Sequence, residues 1–304
     1  MNQPFFSIII PTHNRSGYLK EALEKLSEQT FKNFEVIVIN DCSSDDTENV
    51  VLNHRTLNIV YHKNRVNLER SASRNIGIEK ATGGYLLFLD DDDYYLPEHL
   101  DSIFQYITTC SEKSAIFYTH KTVFFEDKGH FEKKSISDIP NGDDPLKYLL
   151  FKEYTLGTPN LIVPSILAKT NLFSNKLVYS EDTEWLIRNI ITNPNLHCIP
   201  IYSLVIRQHA TNSGKLNKDI GMLRLESYRQ ILSNEIARKR IPKQAIKIIY
   251  SDCYFKSAIF NYDNNKKLTA LFLCLKSILF DICSSKNIAK LKWMVLVLIS
   301  KKHQ

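Results

Sequence analysis

The chain has 304 residues, 43% of them apolar and 24% charged, with a formal net charge of +6. This balance fits a soluble globular protein of one large domain, or a domain with an appendage, and excludes a disordered or fibrous chain. The charge is uneven: residues 215–304 carry 18 Lys/Arg against 6 Asp/Glu, whereas residues 1–214 carry 21 against 27. An acidic body with a basic tail points to an anionic surface such as a membrane leaflet, with two differently charged solvated faces as the plainer alternative. Nothing interleaves basic and aromatic residues as single-strand binders do, so no nucleic acid partner is expected. The six cysteines form no CxxC pair and no zinc-like spacing, and read as free thiols. Met1 leads straight into a strand-like run with no secretory leader, so the expected location is cytoplasmic.

In chain order, residues 5–10 are apolar and β-branched, a strand that Pro11 is expected to end. Ser16 can cap a helix with Leu19, Ala22, Leu23 and Leu26 on one face. Residues 34–39 form the next strand, and Ser43, Ser44 or Asp45 caps a helix near 45–54. Residues 58–61 are a weaker strand, and 71–80 a helix closed by Gly83 and Gly84. Residues 85–89 are a strand, and Pro97 opens a helix running to about 109. This alternation predicts a mainly parallel, doubly wound α/β sheet flanked by helices.

Beyond residue 110 the pattern changes. Residues 115–118 and 121–125 read as strands, 126–145 as a mobile loop, 160–168 as a strand and 182–191 as a helix. From about 220 onward helical patterns dominate. Two apolar stretches there, 268–280 and 293–299, are too short to span a bilayer; they read as core helices or as an interfacial amphipathic surface.

The strongest chemical signal is the apolar run Leu86-Leu87-Phe88-Leu89 ending in Asp90, Asp91, Asp92 and Asp93. Four adjacent carboxylates repel one another, and at the carboxyl end of a core strand a cation is their usual compensation. Mg²⁺ and Mn²⁺ suit such hard oxygen ligands together with substrate phosphates. With nine glycines the chain has no GxGxxG and no GxxxxGK[ST], which weakens dinucleotide and P-loop readings.

Five motifs occur in order: residues 7–15 (Ser-Ile-Ile-Ile-Pro-Thr-His-Asn-Arg), 35–45 with Asp41, 67–84 with Ser73-Arg74-Asn75-Ile76-Gly77, Phe88-Leu89-Asp90-Asp91-Asp92, and Ser180-Glu181-Asp182-Thr183-Glu184-Trp185. On these the chain resembles the inverting family-2 glycosyltransferases, which have a Rossmann-like nucleotide-diphospho-sugar (GT-A) fold. The match is strong over residues 5–100, thinner to 214 and absent beyond. It implies a catalytic domain over 1–214, with a nucleotide-binding half (1–110) and an acceptor half (111–214), followed by a basic helical region over 215–304.

The resemblance also implies roles. Pro11, Thr12, Asn14, Asp41, Arg74, Asp90 and Asp91 would bind the nucleotide sugar, Asp41 by accepting the uracil N3–H and Arg74 near base or phosphates. Asp92 would ligate Mn²⁺ or Mg²⁺, and His209, in the segment Arg207-Gln208-His209, would be a second ligand or phosphate contact. Asp93 would substitute if the register slips. Asp182 would be the general base, with Glu181 and Trp185 on the acceptor side. The plainer alternatives are helix capping for Asp41 and Asp182, an acidic loop for the aspartates and core positions for Trp185 and His209. The activity implied is metal-dependent transfer of a hexose or N-acetylhexosamine from a UDP-sugar to a saccharide, lipid-linked at the inner leaflet, in bacterial surface polysaccharide synthesis. The basic tail would make the peripheral membrane contact. A catalytically inactive nucleotide-sugar-binding protein and a sugar-phosphate nucleotidyltransferase are the alternatives; the second normally opens on a Gly-rich basic loop where this chain has Pro11-Thr12-His13-Asn14.

Overall fold

The computed structural model describes residues 3–136, 156–209 and 218–299, together with 139, 143–146 and 149. The first half alternates β1 (Phe6–Thr12), α1 (Ser16–Ser27), β2 (Phe34–Asn40), α2 (Thr47–Asn53), β3 (Ile59–Lys63), α3 (Glu69–Lys80) and β4 (Tyr85–Phe88). Then come β5 (Tyr94–Tyr95), α4 (His99–Thr109), β6 (Ile116–Thr119), β7 (Lys121–Phe125), β8 (His130–Lys134), β9 (Leu161–Pro164), α5 (Ser165–Thr170) and α6 (Glu181–Thr192). After β10 (Leu196–Ile199) and β11 (Leu204–Gln208) the described chain is helical: α7 (Ile220–Ser233), α8 (Glu235–Arg240), α9 (Lys243–Asp263), α10 (Lys267–Phe280) and α11 (Asn287–Ile299).

The main sheet has the order β10-β6-β9-β4-β1-β2-β3. Its pairs are parallel except on the two sides of β9, which runs against β4 and β6. All seven residues of β1 and of β2 are buried, because helices cover both faces; this is why those segments read as unbroken apolar runs. The helix α1 buries the expected Leu19, Ala22, Leu23 and Leu26. A small sheet, β5-β11-β7-β8, stands beside the main one.

The α/β half forms as expected, with local differences. Strand β1 runs through Pro11 to Thr12 because it stays paired with β2, while its ladder to β4 stops at Ile9, before the proline. Ser16 makes no side-chain cap of α1; its backbone N–H donates to Asp45 Oδ2 at 2.8 Å instead. The other oxygen of Asp45 accepts from the Thr47 N–H and hydroxyl at the start of α2, so one carboxylate holds two helix starts. The expected loop over 126–145 contains a short 3₁₀ turn and β8, which pairs back on β7; residues 137–138 and 140–142 lie outside the described residues. The strand expected over 160–168 ends at Pro164, where the chain turns into α5. Gly83 lies so close to β1 that a Cβ there would meet the Phe6 carbonyl carbon at 2.8 Å, and its N–H donates to Ser7 Oγ at 2.8 Å. That close approach starts β4 in register.

The C-terminal helices pack on the sheet side that carries α6. One apolar cluster runs from Ile9 and Phe88 through Trp185 to Leu225, Tyr228, Ala258 and Cys274. Helices α9 and α10 are pinned by reciprocal bonds, Ser251 Oγ to Ser277 O and Ser277 Oγ to Ser251 O, both 2.7 Å.

Candidate active site

Because β4, β1 and β2 are parallel neighbours, their carboxyl ends lie side by side, and the loops after them share one edge. Asp41 follows β2 and is buried; its Oδ1 accepts from Asn64 Nδ2 and the Leu68 N–H, both at 2.8 Å. It therefore braces the loop before α3 and does not cap α2. Asn14, at φ 53°, stitches the β1 and β2 loops, its N–H donating to Ser43 Oγ and its Oδ1 accepting from the Ser44 N–H. Pro11 and Thr12 are buried in β1, with the Thr12 side chain facing the Asp91 carboxyl.

Asp91, Asp92 and Asp93 are buried, while Asp90 is about one-third exposed. Burial pushes the Asp91 carboxyl up to about 6 against the pull of Arg15, and raises Asp93 well above the ordinary range with help from Asp90 and Asp92. Protein cations answer this cost. Arg15 Nη1 donates to Asp91 Oδ1 at 3.0 Å and Asp92 Oδ2 at 2.7 Å. His209 Nε2 meets the same Asp92 Oδ2 at 2.9 Å, and its ring stacks on Tyr18 with centroids 4.9 Å apart. The small sheet makes this contact: β11 pairs with β5, three residues past Asp91, so the residue after β11 returns to the aspartates.

Arg207 anchors β11 to the aspartate loop. Its backbone N–H donates to Asp93 Oδ1 and its Nε to the Asp92 carbonyl, while the guanidinium pairs with Glu21 and Glu126. The rings of Tyr18, Tyr94 and Phe124 lie within 5.7 Å of it. Arg207, Glu21 and Glu126 border a cleft of about 670 Å³ that is also lined by His13 to Tyr18 and Asp45.

Arg74 joins the two halves of the site. Only 2% exposed, it donates to Asp90 Oδ1 at 2.9 Å and Glu181 Oε1 at 3.1 Å, and lies over the Phe173 ring. Its Nε is buried without a partner. Asp182 follows Glu181 in the first turn of α6. Its Oδ1 accepts from the Thr183 N–H at 2.6 Å, and a Cβ on Gly157 would lie 3.9 Å from its Oδ2. Burial and the neighbouring Glu181 raise the Asp182 carboxyl above its ordinary value, although Arg74 pulls the other way. Burial lowers the proton affinity of the Lys121 ammonium on β7, against the opposing pull of Asp93 and Asp182.

Trp185 corrects an expectation. It is fully buried, stacked on Phe173 at 4.4 Å, edge-on to Phe88, and bonded through Nε1 to the Asn171 carbonyl. It backs Phe173, the ring over which Arg74 lies, and has no face to offer a sugar. Arg15, Tyr18, Glu126 and Lys121 are the site residues that the sequence did not single out. The usable signal was arithmetic: four adjacent aspartates need cations, and Arg15 follows Asn14 in a motif already placed at the same edge.

Among the described residues no group of three or more His, Cys, Asp or Glu side chains forms a ready-made metal centre. The donor chemistry nevertheless fits Mn²⁺ or Mg²⁺. A buried carboxylate and a buried imidazole meet at Asp92 and His209, with Asp91 beside them.

The mostly parallel sheet, flanked by helices and carrying carboxylates at its carboxyl edge, matches the GT-A fold of glycosyltransferases. The chain belongs to glycosyl transferase family 2, whose model matches residues 7–168, and is a glycosyltransferase of that family. That membership leaves the nucleotidyltransferase alternative without support. Among relatives, an uncharacterised glycosyltransferase of Methanocaldococcus jannaschii is 29% identical over 211 residues, 68% of this chain and 72% of that protein. An uncharacterised glycosyltransferase of Rickettsia typhi is 31% identical over 59% of this chain but only 56% of its own length. The GalNAc(5)-diNAcBac-PP-undecaprenol beta-1,3-glucosyltransferase of Campylobacter jejuni is 27% identical over 90% of this chain and 87% of that protein. Two solved structures share the fold. Staphylococcus aureus TarS 1–349 in complex with UDP-GlcNAc has a TM-score of 0.62, 22% identity, and coverage of 90% of this chain and 81% of that one. The mannosyltransferase PcManGT of Pyrobaculum calidifontis, in complex with GDP-Man and Mn²⁺, has a TM-score of 0.57, 13% identity, and coverage of 99% and 89%.

Proposed function

We propose that this chain transfers a hexose or N-acetylhexosamine, with inversion, from a UDP-sugar to a lipid-linked saccharide in bacterial surface polysaccharide synthesis. The observation that carries the reading is the buried Arg74, bonded at once to Asp90 after β4 and Glu181 at the start of α6. A guanidinium shared by the donor side and the acceptor side couples the two groups that a displacement needs in one place. The UDP-GlcNAc complex of TarS supports the donor, and the undecaprenol-linked acceptor named for the Campylobacter relative supports the lipid carrier.

In this reading Asp182 takes the proton of the acceptor hydroxyl as that oxygen attacks the anomeric carbon, and its raised affinity for protons suits a base. Asp41 accepts the uracil N3–H, and Pro11, Thr12 and Asn14 shape the nucleoside pocket. Arg74, through its unpartnered Nε, and Arg15 supply donors toward the diphosphate. Asp92 and His209 hold the divalent cation, which when bound supplies Lewis-acid stabilisation of charge on the leaving diphosphate. Asp93, bonded to the Arg207 backbone, positions β11 and is not assigned a ligand role.

The test is Asp182→Asn. Transfer is expected to fall by about 100-fold or more, while UDP-sugar binding measured calorimetrically stays within error. Transfer at the wild-type rate would remove Asp182 from its role. A chain that neither transfers sugar nor slowly hydrolyses a UDP-sugar with Mn²⁺ would instead be the inactive binding protein.

A further inference from the structure

Helices α10 and α11 form an antiparallel pair on the far end of the helical region, closed by Lys267 Nζ donating to the Leu298 carbonyl at 3.1 Å. The inner face of α10 is buried against α9 through residues such as Ala270, Cys274 and Ser277, and α11 meets α9 where Lys290 Nζ donates to Ser251 Oγ and Trp293 lies edge-on to Phe255. Their outer faces are apolar and uncovered. On α10, Leu268, Phe272, Leu275 and Leu279 are between 47% and 84% exposed, and Ile282 just beyond is 69% exposed. On α11, Ile288, Leu291, Val295 and Leu298 are between 52% and 65% exposed. Spacings of three and four make each set one stripe along its helix. Scattered exposed leucines need no explanation, but two adjacent stripes on paired helices do.

The charge around the stripes selects the occupant. Residues 264–299 contain six lysines and one acidic residue, Asp281, which is itself buried. Lys266, Lys286 and Lys292 are exposed beside the stripes. Two copies of this face would bring lysines together with few carboxylates to pair them, since Asp252 already faces Lys286 at 3.9 Å. An anionic lipid surface offers both an apolar layer for the stripes and negative headgroups for the lysines. No helix among the described residues is long and apolar enough to cross a membrane, so the contact lies in the plane of the interface. We propose that the outer face of α10 and α11 docks the enzyme on an anionic bilayer, with Phe272, Leu279, Leu291 and Val295 entering the headgroup–acyl boundary. This goes beyond the reading of the active site and does not depend on it.

The experiment is cosedimentation of the full chain with vesicles of phosphatidylcholine containing about 30% phosphatidylglycerol, against pure phosphatidylcholine. Wild type should bind the anionic vesicles preferentially, and raising salt to about 0.5 M should weaken that preference. The variant Phe272→Ser/Leu279→Ser/Leu291→Ser/Val295→Ser should lose at least about tenfold in vesicle affinity. Lys266→Glu/Lys292→Glu, which alters no buried contact, should lower binding to anionic vesicles alone. Asp182→Asn should bind as wild type, which keeps a failure of the base assignment distinct from a failure of this one. Wild-type protein that ignores both vesicle types, or serine and glutamate variants that bind unchanged, would overturn the proposal. So would a dimer in analytical ultracentrifugation that the serine variant abolishes without any vesicle binding, because the occupant would then be a second copy.

Discussion

At the scale of single residues, the site is organised by charges that must be matched where water is scarce. Arg74 is the clearest case: a buried cation between two carboxylates, one of which, Glu181, is itself 5% exposed. Removing one partner of such a set leaves the other charged and buried, at about 3–5 kcal/mol. Arg74→Met should therefore lower the denaturant midpoint markedly, and Arg74→Lys should recover part of that loss but not the span to both acids. An Arg74→Met protein as stable as wild type would mean that Glu181 finds another partner; Arg70 at 3.7 Å is the candidate. Asp182 carries a pH prediction. In its proposed role as base Asp182 works ionised, and its proton affinity is raised by burial and by Glu181. Turnover should therefore fall as pH drops, beginning at higher pH than an ordinary carboxylate near 4 would give. Glu181→Gln removes the neighbouring negative charge, so the acidic limb of kcat should move to lower pH; a limb that stays put would assign it to another group.

Among elements, what was readable in the sequence follows from how each is buried. Strands β1, β2 and β4 lie under helices on both sides, so they appear as apolar runs with clear ends. Strands β5, β10 and β11 hold two to five residues each and take their form from partners far along the chain. No local pattern announces that Val205 pairs with Tyr94, and hence none announces that His209 returns to Asp92. Trp185 was ambiguous for a related reason: a tryptophan beside an acidic motif reads the same whether it faces a ligand or Phe173. The helical region has its own close contact, where a Cβ on Gly221 of α7 would meet the Cys253 carbonyl oxygen of α9 at 2.3 Å. Backbone cannot move aside as a flexible side chain does. Gly221→Ala should cost about 1–3 kcal/mol, seen as a lower denaturant midpoint with an unchanged slope, while UDP-sugar hydrolysis at low temperature persists.

For the whole molecule, the sequence separates an acidic body from a basic tail at about residue 214, and we treat that as a functional division. Packing runs across it, since Trp185 and Leu225 belong to one apolar cluster. The full chain should accordingly melt in a single calorimetric transition whose van't Hoff and calorimetric enthalpies agree; two resolved transitions would show that residues 215–304 fold independently.

The reversal of β9 has one more consequence. In a sheet whose other strands all end at the catalytic edge, β9 begins there, so the chain reaches that edge as it enters the strand. Gly157, just ahead of β9, comes beside Asp182 for this reason. Lengthening a connection costs little, about 0.6 kcal/mol per doubling of its length. A change in the stretch before β9 can thus reshape the surroundings of Asp182 while strands β1 to β4 keep their places.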